Sequence, residues 1–186
     1  MIEVPSHLGG HKGRTHTDDG LLDWCWNHLG ACSVIDIGCG PGGQVHLAVE
    51  KGWEAHGVDG DNSIARRFDC EIFDFTTGIY TPHRVFDLAW CVEFLEHVEE
   101  KFIPNFMPAF QCARWAIITH ALPGEVGHHH VNCQPSEYWI EQFSHYQFEY
   151  SAELTSQIRL QSSMKRDFVR RRGLFFVNQS PTIGNV

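Results

Sequence analysis

The sequence predicts a doubly wound α/β domain, a mostly parallel sheet with helices on both faces. Three observations predict it. Short β-branched runs alternate with helical segments along the chain, a glycine-rich turn follows the first buried run, and the next run closes on an acid. Alternating βα units imply parallel strands joined by right-handed crossovers.

Leu21, Leu22, Trp24 and Cys25 mark a first helix, preceded by a polar, glycine-rich segment from Gly9 to Asp18. Ser33 to Ile37 reads as a buried strand ended by glycines, and residues 43–51 as a helix with Gly52 as its natural stop. Glu54 to Val58 is a second strand ended by Asp59-Gly60-Asp61-Asn62. A short helix through Ile64 to Phe68 then leads to a third strand at Glu71 to Phe73. Val85 to Cys91 is the fourth strand, Phe94 to Lys101 a helix, and Ala113 to Thr119 the fifth strand. From His120 to Pro135 the chain carries Pro, Gly and three consecutive histidines, so it is a long connection at a strand end, where function concentrates. Pro135 to Phe143 reads as a helix, Phe148 to Tyr150 as a strand, Ser151 to about Arg171 as a helix, and Leu174 to Asn178 as a last strand.

With 186 residues, 42% of them hydrophobic, the chain has the size and apolar content of a single domain spanning 1–186. Its seven cysteines stand singly with no CxxC pair, which argues against a disulfide framework or a thiolate zinc site and for the cytoplasm. No run reaches the roughly 20 apolar residues that span a bilayer, so no membrane partner is expected. A formal net charge of −9 repels a phosphate backbone. The exception is the tail, where Arg159, Lys165, Arg166, Arg170, Arg171 and Arg172 face only Glu153 and Asp167. That cluster reads as a solvated helix face near a helix C-terminus or as a patch for an anionic acceptor.

The phrase Asp36-Ile37-Gly38-Cys39-Gly40-Pro41-Gly42-Gly43 places backbone without side chains where a ligand must come close. Asp59, 21 residues after Gly38, can accept hydrogen bonds from ribose hydroxyls, or cap a helix, a role that suits Asp61 better. These features alone suit a nicotinamide dinucleotide as well. Asp36 discriminates, because a carboxylate two residues before the first glycine repels a pyrophosphate and attracts a cationic ligand. Pro41 removes a backbone donor that a phosphate cradle would use.

DIGCGPGG followed by GVDGD resembles the first two motifs of the class I S-adenosylmethionine-dependent methyltransferases, over roughly residues 33–120. The resemblance implies a Rossmann-like sheet of seven strands with the last antiparallel, S-adenosylmethionine as cofactor and S-adenosylhomocysteine as product. It places Asp36, Gly38, Cys39, Gly40 and Gly42 along the methionine portion, Asp59 and Gly60 at the ribose, Asp74 and Phe75 at the adenine, and Trp90, Cys91 and Glu93 at the sulfonium end. The short second crossover departs from the family's fuller helix. Thr119 to Gly124 and Gly127 to Asn132 look similar to small methyltransferases encoded by tailed phages, which implies a host cytoplasm.

Methyl transfer from a sulfonium is an in-line displacement, so alignment supplies most of the acceleration, and a hydroxyl or amine acceptor also needs a base. Glu93, Glu96 and His97 fall at spacings of three and four, on one face of the expected helix. Three readings stay open: packing residues of that helix, His97 as base, or a divalent metal held by Glu93, Glu96 and His97 with a histidine from His128 to His130, as in related enzymes carrying this phrase. His120, at the end of the fifth strand, is a second base candidate or a strand cap. His128, His129, His130 and Asn132 are candidates for acceptor contacts. Residues 1–20 read as a disordered arm or as a lid, with Arg14 or a histidine meeting the cofactor carboxylate.

The leading expectation is therefore an enzyme methylating a small molecule, sugar or peptide. No DPPY-like phrase follows the fourth strand, where Trp90-Cys91-Val92-Glu93 stands, and no basic groove is expected for a flipped base. Nucleic-acid methylation is the minor reading, kept by the arginine tail. A non-catalytic cofactor-binding module is the other class, and the histidines at 120 and 128–130 speak against it.

Overall fold

The computed structural model describes residues 5–11, 13–64 and 70–182. Strands β1 (Ser33–Ile37), β2 (Glu54–Asp59), β3 (Cys70–Ile72), β4 (Phe86–Cys91), β5 (Ala113–Ile118), β6 (Phe148–Tyr150) and β7 (Leu174–Asn178) form one sheet in the order β3-β2-β1-β4-β5-β7-β6. β7 runs antiparallel to both its neighbours and the other six strands run parallel, as the family resemblance implies.

Strand side chains alternate between two cores with the period of two that a pleated strand imposes. Ile35, Ile37, Ala89, Cys91, Ala116, Ile118, Leu174 and Phe176 face one layer, with α3 (Ile103–Gln111) and α4 (Ser136–His145) supplying Phe106, Phe110, Trp139 and Phe143. Val34, Leu88, Trp90, Ile117 and Phe175 face the other. There α1 (Asp19–Leu29), α2 (Gly43–Glu50), α5 (Ala152–Gln161) and α6 (Phe168–Arg172) bring Leu21, Leu22, Trp24, Ala48, Ile158 and Val169. Burial on both faces is what a central parallel sheet requires.

Three elements differ from the sequence reading. Phe94 to Lys101 is not an α-helix: two single 3₁₀ turns, Leu95–His97 and Glu100–Phe102, stand there instead. Glu93 has left-handed backbone (φ 56°), and Val98 and Glu99 are extended or near it, so no α-helical ladder can run through. The helix lies one step later, at α3, where Pro104 and Pro108 mask it. Pro104 sits in the first turn, where no N–H is needed, and Ile103, Phe106, Met107 and Phe110 supply the buried stripe. The long helix expected over 151–171 breaks into α5 and α6 because Ser162 turns extended to reach Asp18. The short helix expected through Ile64 to Phe68 falls largely outside the described residues.

Asp18 ties these parts together. It is fully buried, caps α1 by accepting from the Leu21 amide at 3.1 Å, and accepts from the Ser163 amide at 2.9 Å and the Ser162 hydroxyl. Replacing it strands several buried donors at once. Asp18→Ala is expected to lower unfolding free energy by about 2–3 kcal/mol in urea melts, against about 1 kcal/mol for a simple lost cap; a loss under 0.5 kcal/mol would show that the tie carries little.

Candidate active site

The carboxyl ends of β1, β2 and β4 open on a cavity of about 300 Å³. Its floor is Asp36, Gly38, Cys39, Gly40, Asp59 and Gly60, one wall is Asp74, Phe75 and Thr76, and another is Trp90, Val92, Glu93, Phe94, His97 and Val98. The crevice lies at the switch point where strand order reverses between β1 and β4, the place open α/β sheets use for ligands.

The glycine turn is held by its neighbours before any ligand arrives. Gly38 and Cys39 amides donate to Val58 O at 2.9 and 3.1 Å, and the Gly40 amide donates to Asp59 Oδ2 at 2.8 Å. Asp59 Oδ1 accepts from the Asp61 amide at 2.8 Å. Gly38 adopts φ +76°, and a Cβ there would lie 2.4 Å from the Phe94 ring, so no other residue fits. Gly42 caps α2 rather than facing the cavity, and Cys91 is fully buried away from it.

Asp36 is 4% exposed at the cavity floor. Burial first, then the nearby Cys70 and Asp59, push its carboxyl well above the usual 3.8. A cation in the cavity would reverse this.

Residues 7–11 and 14–16 line the cavity from the N-terminal side. His7 Nε2 meets Asp74 Oδ2 at 2.9 Å, His11 Nε2 meets Asp61 Oδ2 at 3.0 Å, and Thr15 Oγ1 accepts from the Gly43 amide at 3.0 Å. Leu8 O meets His128 Nε2 at 2.9 Å. Arg14 and His16 line the same cavity. Both aspartates stay below their ordinary value despite burial, since Thr76 and His7 hydrogen-bond Asp74, and Ser63 and His11 hydrogen-bond Asp61. The sequence marked this segment through Arg14 and its histidines, but not the acids they meet, because partners about 50 and 67 residues apart leave no local pattern.

Past β4 the chain turns at Glu93, whose amide donates to Thr119 Oγ1 at 2.8 Å while the Thr119 hydroxyl donates to Glu93 Oε1 at 3.0 Å. Thr119 is fully buried and carries no motif that singles it out. Glu96 is 0% exposed, and both its carboxylate oxygens lack a hydrogen-bond partner among the described residues. Burial, then Glu93, raises it to about 8. His97 Nδ1 meets His128 O at 2.7 Å, and burial lowers its imidazole to about 4. Ligand atoms of Glu96, His97 and His130 lie within 4.8 Å of one another. Glu93 is outside this group, so the shared helical face expected for Glu93, Glu96 and His97 is replaced by a turn that brings in His130.

Not every candidate reaches the cavity. His128 and His130 line it, but His129 does not. Asn132 is buried, donating through Nδ2 to Val98 O at 3.2 Å and through its amide to Glu96 O at 3.1 Å, and so pins the histidine loop. His120 is buried apart from the cavity, with Nε2 3.0 Å from Ser136 Oγ. Phe168 joins the lining from α6, which the sequence did not single out.

No family model and no curated protein matches this chain. Solved structures do. Magnesium protoporphyrin IX methyltransferase (ChlM) from Synechocystis PCC 6803, with bound S-adenosylhomocysteine, is 15% identical with a TM-score of 0.60, over 87% of this chain and 81% of that one. The sugar N-methyltransferase KedS8 from Streptoalloteichus sp ATCC 53650 is 12% identical with a TM-score of 0.63, over 86% and 87%. The methyltransferase domain of bacterial CtHen1-C is 17% identical with a TM-score of 0.57, over 86% and 96%. The [4+2]-cyclase SpnF also matches, at 15% identity and a TM-score of 0.56 over 87% and 81%, so the scaffold by itself does not fix a reaction. Strand order, the glycine turn and these likenesses agree: the chain has the fold of the class I S-adenosylmethionine-dependent methyltransferases.

Proposed function

We propose that the cavity binds S-adenosylmethionine and that the protein transfers its methyl group to a small-molecule, sugar or peptide acceptor by in-line displacement. The observation that carries this is Asp36, a buried carboxyl under the glycine turn with acids and thiols for neighbours. Such a group is costly until a cation arrives, and S-adenosylmethionine brings an ammonium and a sulfonium. Asp59 then serves the ribose, Asp74 and Phe75 the adenine, and Trp90 and Glu93 the sulfonium end. Arg14 meets the carboxylate, and residues 7–11 with 14–16 act as a lid. The neighbouring folds include enzymes named for porphyrin and sugar substrates, which supports a small acceptor. The net charge of −9 argues against nucleic acid. We place the enzyme in the cytoplasm, since its seven cysteines stand singly with no CxxC pair.

Of the two histidines considered as base, His97 lies at the cavity and His120 does not. An imidazole near 4 is neutral at physiological pH and can accept a proton, but only weakly. A second reading is favoured by the Glu96 oxygens, without a hydrogen-bond partner among the described residues: Glu96, His97 and His130 hold a divalent cation. One carboxylate and two imidazoles can hold a divalent first-row metal ion such as Mn²⁺. Bound there, it would lower the pKa of an acceptor hydroxyl. His130 is anchored for this by Nδ1 at 3.0 Å from Glu125 O, and Glu125 is in turn paired with Arg172.

Calorimetric titration with S-adenosylmethionine is expected to show binding in the wild type and at least a tenfold loss in Asp59→Ala. No binding by the wild type, with NADH binding instead, would overturn the cofactor reading.

Asp36 makes a further prediction with a defined sign. The folded protein holds this proton more tightly than the unfolded chain, so ionising it opposes folding as pH rises above about 4, by roughly 1.4 kcal/mol for each pH unit until the folded carboxyl itself ionises. Asp36→Asn is therefore expected to raise the Tm of the ligand-free protein at pH 7 by several degrees over wild type, with the gap closing toward pH 4, while weakening S-adenosylmethionine at least tenfold. A pH-independent gap would show that the carboxyl is not strained.

For the metal reading, calorimetry with Mn²⁺ alone should detect binding that falls at least tenfold in Glu96→Gln and His130→Ala. Equal binding in all three proteins would remove it.

A further inference from the structure

Gly57 leaves a gap in the middle of β2, filled by two thiols and a Val45 methyl. It pairs in register with Asp36 of β1 on one side and with Cys70 of β3 on the other. A Cβ on Gly57 would lie 2.8 Å from Cys39 Sγ and 2.8 Å from Cys70 Sγ, so both sulfurs converge on the space that glycine leaves open. The Cys39 thiol donates to Gly40 O at 3.7 Å, and its neighbour Cys70 helps keep it protonated. Cys70 Sγ also comes within 2.9 Å of where a Cβ on Gly42 would stand, which puts the pair directly behind the glycine turn. Cys39 is 2% exposed and lines the cavity, whereas Cys70 is half-buried on the edge strand.

We propose that Cys39 and Cys70 are a redox pair whose disulfide distorts the glycine turn and releases the cofactor. The cofactor clause rests on the S-adenosylmethionine reading above; the bond itself does not. The partner thiol, burial and the carboxylate of Asp36 all keep Cys39 protonated, so Cys39 does not meet the oxidant first. Half-buried Cys70 does. A hydroperoxide ROOH takes two electrons from the Cys70 sulfur, giving the sulfenic acid and ROH. Cys39 sulfur then attacks that sulfur and expels hydroxide, which leaves with the Cys39 proton as water. The sum is two thiols and one hydroperoxide to one disulfide, one alcohol and one water.

Closing the sulfurs to a bond of about 2.05 Å draws the Cys39 backbone toward β3. That backbone is the turn itself, since Gly38, Cys39 and Gly40 amides are aligned by Val58 O and Asp59. A displacement of about 1 Å in such a cradle is costly to binding and chemistry.

The test starts from wild-type protein treated with hydrogen peroxide, alkylated and peptide-mapped, with fragmentation that separates Cys39 from Cys25 and Cys32 in the same tryptic stretch. A Cys39–Cys70 link is expected. S-adenosylhomocysteine affinity should fall at least tenfold on oxidation and return on reduction, while Cys70→Ser, or Cys70→Ala if the first misfolds, keeps its affinity under peroxide. No link, or a link between other cysteines, overturns the proposal, as does a Cys39–Cys70 link with affinity unchanged. If reduced wild type binds no S-adenosylhomocysteine, the cofactor reading fails instead, and the cross-link map alone then decides the pair.

Discussion

The site depends on three parallel strands ending together. Asp36 stands in register with Gly57 on β2 and with Trp90 on β4, so hydrogen bonding between strands, rather than any loop, sets where the acid, the gap and the aromatic wall lie. Parallel pairing sends every carboxyl end to one edge of the sheet, and the reversal of strand order between β1 and β4 parts the following segments there. A cavity at that edge follows from topology. Its chemistry follows from which residues stand last on each strand.

Those residues give the cavity two electrostatic faces. Asp36, Asp59 and Glu93 line the sheet side, and burial is what chiefly pushes Asp36 and Glu93 up. The opposite side is imidazole: His7 and His11 from the N-terminal segment, and His97, His128 and His130 around the turn after β4. The acids suit a cationic ligand. The imidazoles stay neutral donors or acceptors where burial lowers them, as at His97.

The N-terminal segment and the histidine loop lock each other. Leu8 O holds His128, His128 O meets His97, and the amides of Val131 and Asn132 donate to Glu96 O. The imidazoles of His128 and His97 reach backbone carbonyls, so the coupling depends on those side chains as well as on chain geometry.

The strand pattern, the glycine turn and the acids after β1 and β2 were legible in the sequence, because period-two burial and a side-chain-free turn are local physical demands that local residues must meet. Two of the helix errors had different causes: Pro104 and Pro108 hid α3 locally, whereas the smooth 151–171 pattern hid a break that Asp18 imposes from 144 residues away. Local spacing grouped Glu93 with Glu96 and His97. The tertiary structure instead gave Glu93 to Thr119 and brought His130 to the other two. It likewise chose His97 over His120 for the cavity and joined Cys39 to Cys70 across Gly57. Sequence alone determined the sheet, its ligand edge and the residues offered to it. Which of them meet depended on contacts between segments distant in the chain, and periodicity carries no record of those.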